Sequence, residues 1–343
     1  MKTSDFYYDL PQRLIAQTPA QPRDAARMMV IHRLSGRRED KIFRELPDIL
    51  RPCDVMVINQ TKVIPARLLG EKEDTHVPVE ILLLKRRNQD EWETLVRPGR
   101  RLKKGALVSF GEGLLRAEIG DTTDAGGRIV RFLYNGVFEE LLDRLGEMPL
   151  PPYIHEKLAD PSQYQTVYAK QEGSAAAPTA GLHFTPEVLS RVREKGVEIV
   201  PVLLHVGLGT FRPVKVEDVS QHVMHSEYYE VTPEAAEKIN AARAAGGRVV
   251  CIGTTSVRTL ETVADDNGIV HPGMGNTSIF ITPGVKLKAT DVLLTNFHLP
   301  ESTLLMLISA LMGREQALDA YREAVEKEYR FFSFGDCMLI LDD

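Results

Sequence analysis

Asp54-Val55-Met56-Val57-Ile58-Asn59 is a short apolar run with a polar residue at each end, the pattern of a strand buried on both faces. Downstream of it the texture changes. From about 63 to 147, strand-like segments at 79–84, 92–96, 106–110 and 128–134 are separated by Gly- or charge-rich turns. Such spacing, with no helix between most segments, predicts a small antiparallel barrel or sandwich. Phe138–Leu145 reads as a short amphipathic helix closed by Gly146, and the Pro-rich run 148–153 as a hinge or linker. From Tyr164 onward strands and helices alternate. Helices are expected at 186–195, 233–245 and 315–329, with a further one through 259–263 and an apolar one at 304–312. Strands are expected at 197–206, 248–252 and 291–295. That alternation predicts an α/β fold with a mostly parallel sheet covered on both faces. Because a buried strand precedes the barrel, the barrel at 63–150 is read as an insertion into one α/β domain made of 1–62 and 151–343.

At 343 residues, two domains are the default expectation. Lys+Arg minus Asp+Glu is 42 − 48 = −6, so no global basic field advertises nucleic acid, although a local strip can still serve. Arg97, Arg100, Arg101, Lys103 and Lys104 form such a strip within the barrel segment. Cys53, Cys251 and Cys337 are far apart with no CxxC pair, which argues against a zinc knuckle or a disulfide framework. The N-terminus lacks an apolar signal core, and the longest apolar helix candidate is far short of a membrane span. A reduced, cytoplasmic protein with no membrane association is expected.

In an open parallel sheet, ligands bind beyond the carboxyl ends of the strands. The small-residue stretch Gly173-Ser-Ala-Ala-Ala-Pro-Thr-Ala-Gly-Leu-His-Phe184 lets backbone approach a ligand and reads as the wall of such a site. After the strand at 197–206 come His205, Gly207 and Gly209, a poor dinucleotide fingerprint because a third glycine is missing. After 248–252 come Thr254, Thr255 and Ser256, then Arg258, where helix N-terminal N–H groups and hydroxyls suit an anion or a ribose. After 291–295 come Asn296 and His298. His183, His205 and His298 all stand at loop ends where an imidazole can act as acid or base. His222-x-x-His225-x-Glu227 has ligand-like chemistry but no helix to align the rings, so no metal site is expected.

Several strings are long and uncommon: Gln165-Thr-Val-Tyr168, Ala177-Pro-Thr-Ala-Gly-Leu-His-Phe184, Leu204-His-Val-Gly-Leu-Gly-Thr-Phe211, Gly253-Thr-Thr-Ser-Val-Arg-Thr-Leu-Glu261, Thr295-Asn-Phe-His-Leu-Pro300 and Tyr329-Arg-Phe-Phe-Ser-Phe-Gly-Asp336. Together with Leu14-Ile-Ala-Gln-Thr-Pro and Val63-Ile-Pro-Ala-Arg67, they resemble the S-adenosylmethionine:tRNA ribosyltransferase-isomerase family from end to end. In Asn59-Gln60-Thr61-Lys62, Gln60 stands where that family usually carries an aspartate.

The resemblance implies a step of queuosine biosynthesis. The ribosyl part of S-adenosylmethionine would pass to the aminomethyl group of a 7-deazaguanine at the tRNA wobble position, with isomerisation and loss of adenine and methionine. It implies no metal and no bound cofactor, S-adenosylmethionine being a co-substrate, and a monomer is expected. On that reading His183 or His205 supplies acid/base chemistry. Thr254, Thr255 and Ser256 hold the ribose or the methionine carboxylate, and Arg258 pairs with that carboxylate. Asn296 and His298 read a base edge. Tyr168, Thr179, Gly181, Phe184, Gly207 and Gly209 complete the substrate site, and the strip at 97–104 holds tRNA phosphates. A methyltransferase and a non-catalytic tRNA-binding scaffold are the rival readings.

Overall fold

Val55–Asn59 is a strand with every residue buried. A computed structural model of the chain describes all residues except 124–125, 157, 208–213 and 215. In it the strand lies inside a nine-stranded mixed sheet, parallel to Glu198–Leu204 on one side and to Val249–Ile252 on the other. Val292–Asn296 continues the parallel part. Beyond it Cys337–Leu341 runs antiparallel, Arg27–His32 pairs parallel to Cys337–Leu341, and Arg38–Ile42 forms that edge. The opposite flank is Glu227–Val231 and then Gly273–Thr277, both antiparallel. Four strands therefore form the parallel centre, and the antiparallel pairs lie outside it.

The alternation within Val55–Asn59 explains why it sits inside. Val55 and Val57 join one apolar cluster, and Met56 and Ile58 join the other on the opposite face. Helices Pro233–Ala244, Gly253–Val263, Thr303–Met312 and Arg314–Glu326 feed the first cluster through Ile239, Val257, Leu260, Leu305 and Leu318. Pro186–Glu194 covers the second face through Val188, Leu189 and Val192. Its start follows the expected chemistry: Thr185 Oγ1 accepts the Val188 N–H at 3.3 Å, with Pro186 in the first turn. Thr232 does the same for Ala235 at 3.1 Å. The helix expected at 315–329 ends at Glu326 instead. Glu328 takes φ 55 in the left-handed region, and Tyr329 turns into the core.

The chain divides into two compact units: Met1–Thr61 with Pro151–Gln171 and Ala177–Asp343, and Lys62–Leu150 with Glu172–Ala176. The smaller is a barrel. Strands Arg67–Lys72, Pro78–Arg86, Glu91–Arg97, Arg128–Tyr134, Leu115–Thr122 and Leu107–Phe110 pair in that order, and Glu71↔Ser109 closes the ring. Ile81, Leu83, Trp92, Phe110, Ile119 and Phe132 fill its interior, each alternating with outward residues. Phe138 of the Phe138–Leu145 helix packs on Phe132 at 5.1 Å between ring centroids. Among the described residues, no helix is long and apolar enough to cross a membrane.

Candidate active site

The parallel strands end in a common cleft of about 660 Å³, open solvent at its mouth included. Val206, Gly253-Thr254-Thr255 and Thr295–His298 line it, each at the carboxyl end of a central strand. Gly253 holds φ +82, a conformation that favours glycine, and turns the chain from the strand into its helix. Ala177 to Ala180 of the small-residue stretch form another wall.

A hydrogen-bonded frame holds this cleft. Thr179 Oγ1 donates to Asn296 Oδ1 at 3.0 Å, and Asn296 Nδ2 donates to the Phe332 carbonyl at 3.0 Å. Asn296 thus ties the 179 loop to the 332 turn. His298 is held through its backbone, with its N–H donating to Tyr321 Oη at 3.0 Å and its carbonyl accepting from Tyr8 Oη. Its Nε2 lies 2.8 Å from Thr295 Oγ1, and Nδ1 has no partner among the described residues. Burial pushes its pKa down to about 3, so His298 is neutral at ordinary pH. Tyr153 Oη meets Ser333 Oγ at 2.7 Å on the same cleft.

Thr179, Thr254, Thr255, Asn296 and His298 are the expected site residues that line the cleft. Ser256 does not: it is fully buried and donates to the Ile252 carbonyl at 2.8 Å. Tyr168, Gly181 and Phe184 serve packing. Phe184 is buried against Phe43 at 4.9 Å, and a Cβ on Gly181 would lie 2.0 Å from Tyr168 Oη. Gly207 donates its N–H to Glu227 Oε1 at 2.8 Å, while Gly209 lies outside the described residues.

The two histidines expected to exchange protons differ sharply. His183 is buried with Nδ1 3.0 Å from the Ala180 carbonyl and Nε2 2.9 Å from that of Gly335, so its ring pins two loops together and offers no free nitrogen. This corrects its expected acid/base role. His205 uses Nδ1 alone, 2.8 Å from Thr61 Oγ1, and stacks on Tyr228. Burial holds its pKa below the ordinary value.

Arg258 also departs from expectation, since its Nη1 donates to Glu227 Oε2 and the pair is buried. Burial pushes the Glu227 carboxyl up, but His225, the Arg258 guanidinium and the Gly207 N–H outweigh it and hold the pKa below the usual value. His225 Nε2 stands 3.1 Å from Glu227, whereas His222 packs edge-on against Phe280. On the barrel, Arg97, Arg100, Arg101, Lys103 and Lys104 are all exposed, and Lys104 pairs with Asp121 at 2.6 Å. Tyr153, Ser333, Thr295 and Glu227 were not foreseen as site residues. A tyrosine in the Pro-rich linker and the Phe-Phe-Ser turn were the available signals.

The sequence model of the family described as "Queuosine biosynthesis protein" matches residues 3–340. A protein of Symbiobacterium thermophilum named S-adenosylmethionine:tRNA ribosyltransferase-isomerase is 63% identical over 341 residues, covering 99% of this chain and 100% of its own. A Moorella thermoacetica protein of the same name is 62% identical over 342 residues, with 99% and 100% coverage. The crystal structure of S-adenosylmethionine tRNA ribosyltransferase from Thermotoga maritima aligns with TM-score 0.58 and 40% identity, over 98% of this chain and 100% of that one. With identity this high over nearly the full length, the chain belongs to the S-adenosylmethionine:tRNA ribosyltransferase-isomerase family of queuosine biosynthesis enzymes.

Proposed function

We propose that this chain transfers and isomerises the ribosyl moiety of S-adenosylmethionine onto the aminomethyl group of 7-aminomethyl-7-deazaguanine at a tRNA wobble position. The products are epoxyqueuosine-tRNA, adenine and methionine. S-adenosylmethionine is consumed as a co-substrate, and no bound cofactor takes part. The observation carrying this reading is the cleft at the carboxyl ends of the parallel strands, rimmed by hydroxyl, amide and imidazole groups.

The chemistry needs a base for the carbon beside the sulfonium, whose proton the positive sulfur acidifies. His205 suits that role, because its lowered pKa keeps it neutral near pH 7 and its Nε2 has no partner among the described residues. The next residue, Val206, lines the cleft. Thr254 and Thr255 hold the donor at the helix N-terminus, and His298 offers a neutral ring of fixed polarity to a base edge. Exposed Arg97, Arg100, Arg101 and Lys103 hold tRNA backbone.

The test is incubation with S-adenosylmethionine and tRNA carrying the aminomethyl-deazaguanine, read by mass spectrometry. Free adenine and methionine with a heavier wobble nucleoside are expected. S-adenosylhomocysteine would establish a methyltransferase instead, and tRNA binding without turnover a scaffold.

A further inference from the structure

Among the described residues that line the cleft, none carries a carboxylate, an ammonium or a guanidinium, and its histidine, His298, is held neutral by burial. A desolvated wall without counter-charge disfavours the sulfonium and amino-acid end of one substrate and the phosphates of the other. It suits an uncharged ring.

Tyr153 and Phe332 line that cleft side by side, with 4.8 Å between ring centroids and planes tilted by 54°. Tyr153 comes from the Pro-rich segment and is tied down by its neighbours. Gln17 Nε2 donates to its carbonyl at 2.9 Å, Gln17 Oε1 accepts the His155 N–H at 2.8 Å, and Tyr153 Oη meets Ser333 Oγ at 2.7 Å. One amide thus grips the backbone on both sides of Ile154, which is itself buried. Phe332 holds φ 70, a left-handed conformation unfavourable for a residue with a Cβ. Its N–H donates to the Phe297 carbonyl at 3.0 Å, and its carbonyl accepts from Asn296 Nδ2 at 3.0 Å and the Gly335 N–H at 2.9 Å. Backbone held in this way against its preference collects at ligand clamps.

We infer that Tyr153 and Phe332 form the aromatic wall against which the adenine ring of S-adenosylmethionine packs, with Gln17 the positioning residue that sets Tyr153 in place. The wobble base fits less well, because it arrives with an amine and flanking phosphates for which the lining has no counter-charge. The inference rests on the proposed reading of the cleft as the S-adenosylmethionine site.

Calorimetric binding of adenine, of S-adenosylmethionine and of tRNA carrying the aminomethyl-deazaguanine to the full chain tests the assignment, beside the adenine-release assay. Tyr153→Leu keeps apolar bulk but removes the stacking face. It should weaken adenine and S-adenosylmethionine about 10–100-fold and leave tRNA binding unchanged, whereas Tyr153→Phe should stay within about threefold of wild type. Gln17→Leu should weaken adenine about tenfold in the wild-type background and add nothing to Tyr153→Leu. Saturation-transfer NMR on wild type serves should Tyr153→Leu fail to fold, with transfer expected from aromatic ring protons to adenine. Unaltered adenine binding by Tyr153→Leu, or no transfer to adenine, overturns the assignment. Weakened tRNA with unaltered adenine gives the wall to the wobble base and overturns it too. Adenine binding that depends on Tyr153, without adenine release by wild type, supports the wall and sinks the proposed reaction. Release with unaltered adenine binding by Tyr153→Leu sinks the wall alone, and no binding of either small molecule by wild type sinks both.

Discussion

His183 has each ring nitrogen against a backbone carbonyl, whereas His205 commits Nδ1 to Thr61 and keeps Nε2 clear of described partners. Two imidazoles that look equivalent in sequence therefore have different capacities. His205→Ala should lower turnover by ~10²–10⁴, the usual scale for a general base. A base must be neutral to act, and burial lowers the pH at which His205 protonates. The limb of kcat/KM that His205 contributes, and that its replacement removes, should then fall below about 6.5, the ordinary histidine value. A limb at or above that value, or an unchanged rate in the variant, removes His205 from the mechanism. His183→Ala should act through stability, costing about 2–4 kcal/mol from lost packing and the lost ring N–H donor to a backbone carbonyl, read as a lowered unfolding midpoint.

Within elements, the barrel depends on one close approach at its seam. A Cβ on Gly70 would come 2.4 Å from the Ser109 carbonyl and 2.5 Å from the Phe110 ring, beside the pair that closes the ring. Gly70→Val should open that seam and destabilise the barrel by about 2–4 kcal/mol. The single tryptophan, Trp92, is buried in this unit, so its fluorescence during urea unfolding reports the barrel directly. An unshifted midpoint would show that the seam tolerates the side chain. The same elements show what a sequence displays and what it hides. Arg128–Tyr134 and Phe138–Leu145 declare themselves because their apolar spacing is local. Glu227–Val231 and Gly273–Thr277 do not: Glu-Tyr-Tyr-Glu-Val and Gly-Met-Gly-Asn-Thr lack a strand's apolar alternation and are strands by virtue of their neighbours. Arg27–His32 and Cys337–Leu341 carry apolar runs, yet nothing local marks them as partners, since pairs such as Met28↔Cys337 lie some 300 residues apart in sequence. The cleft divides in the same way. Thr254, Thr255, Asn296 and His298 stand at the ends of their strands and were legible, whereas Tyr153 and Ser333 arrive through tertiary packing.

Across the whole molecule, a net charge of −6 opposes a polyanion, so any tRNA surface must concentrate cations locally. On the barrel some long cations are already spent: Arg67 on Glu80, Arg86 on Glu139 and Arg116 on Glu73. Arg97, Arg100, Arg101 and Lys103 are exposed and take no carboxylate partner among the described residues, while Lys104 is held by Asp121. A cation already paired releases little on meeting a phosphate, whereas an unpaired one displaces a condensed counterion from the nucleic acid. The combined variant Arg100→Gln, Arg101→Gln, Lys103→Gln should therefore reduce the slope of log K against log salt for tRNA by about 2–3, near 0.7–0.9 per lost contact. Lys104→Gln should change it less, because Asp121 competes for that ammonium. Arg131→Gln, an exposed position on a barrel strand, tests whether total charge alone matters. If the Arg131 variant lowers the slope as much per charge as the triple variant does, a diffuse field governs binding. If the triple variant leaves the slope unaltered, the tRNA is held by another surface, and the 97–104 loop is a solvated turn.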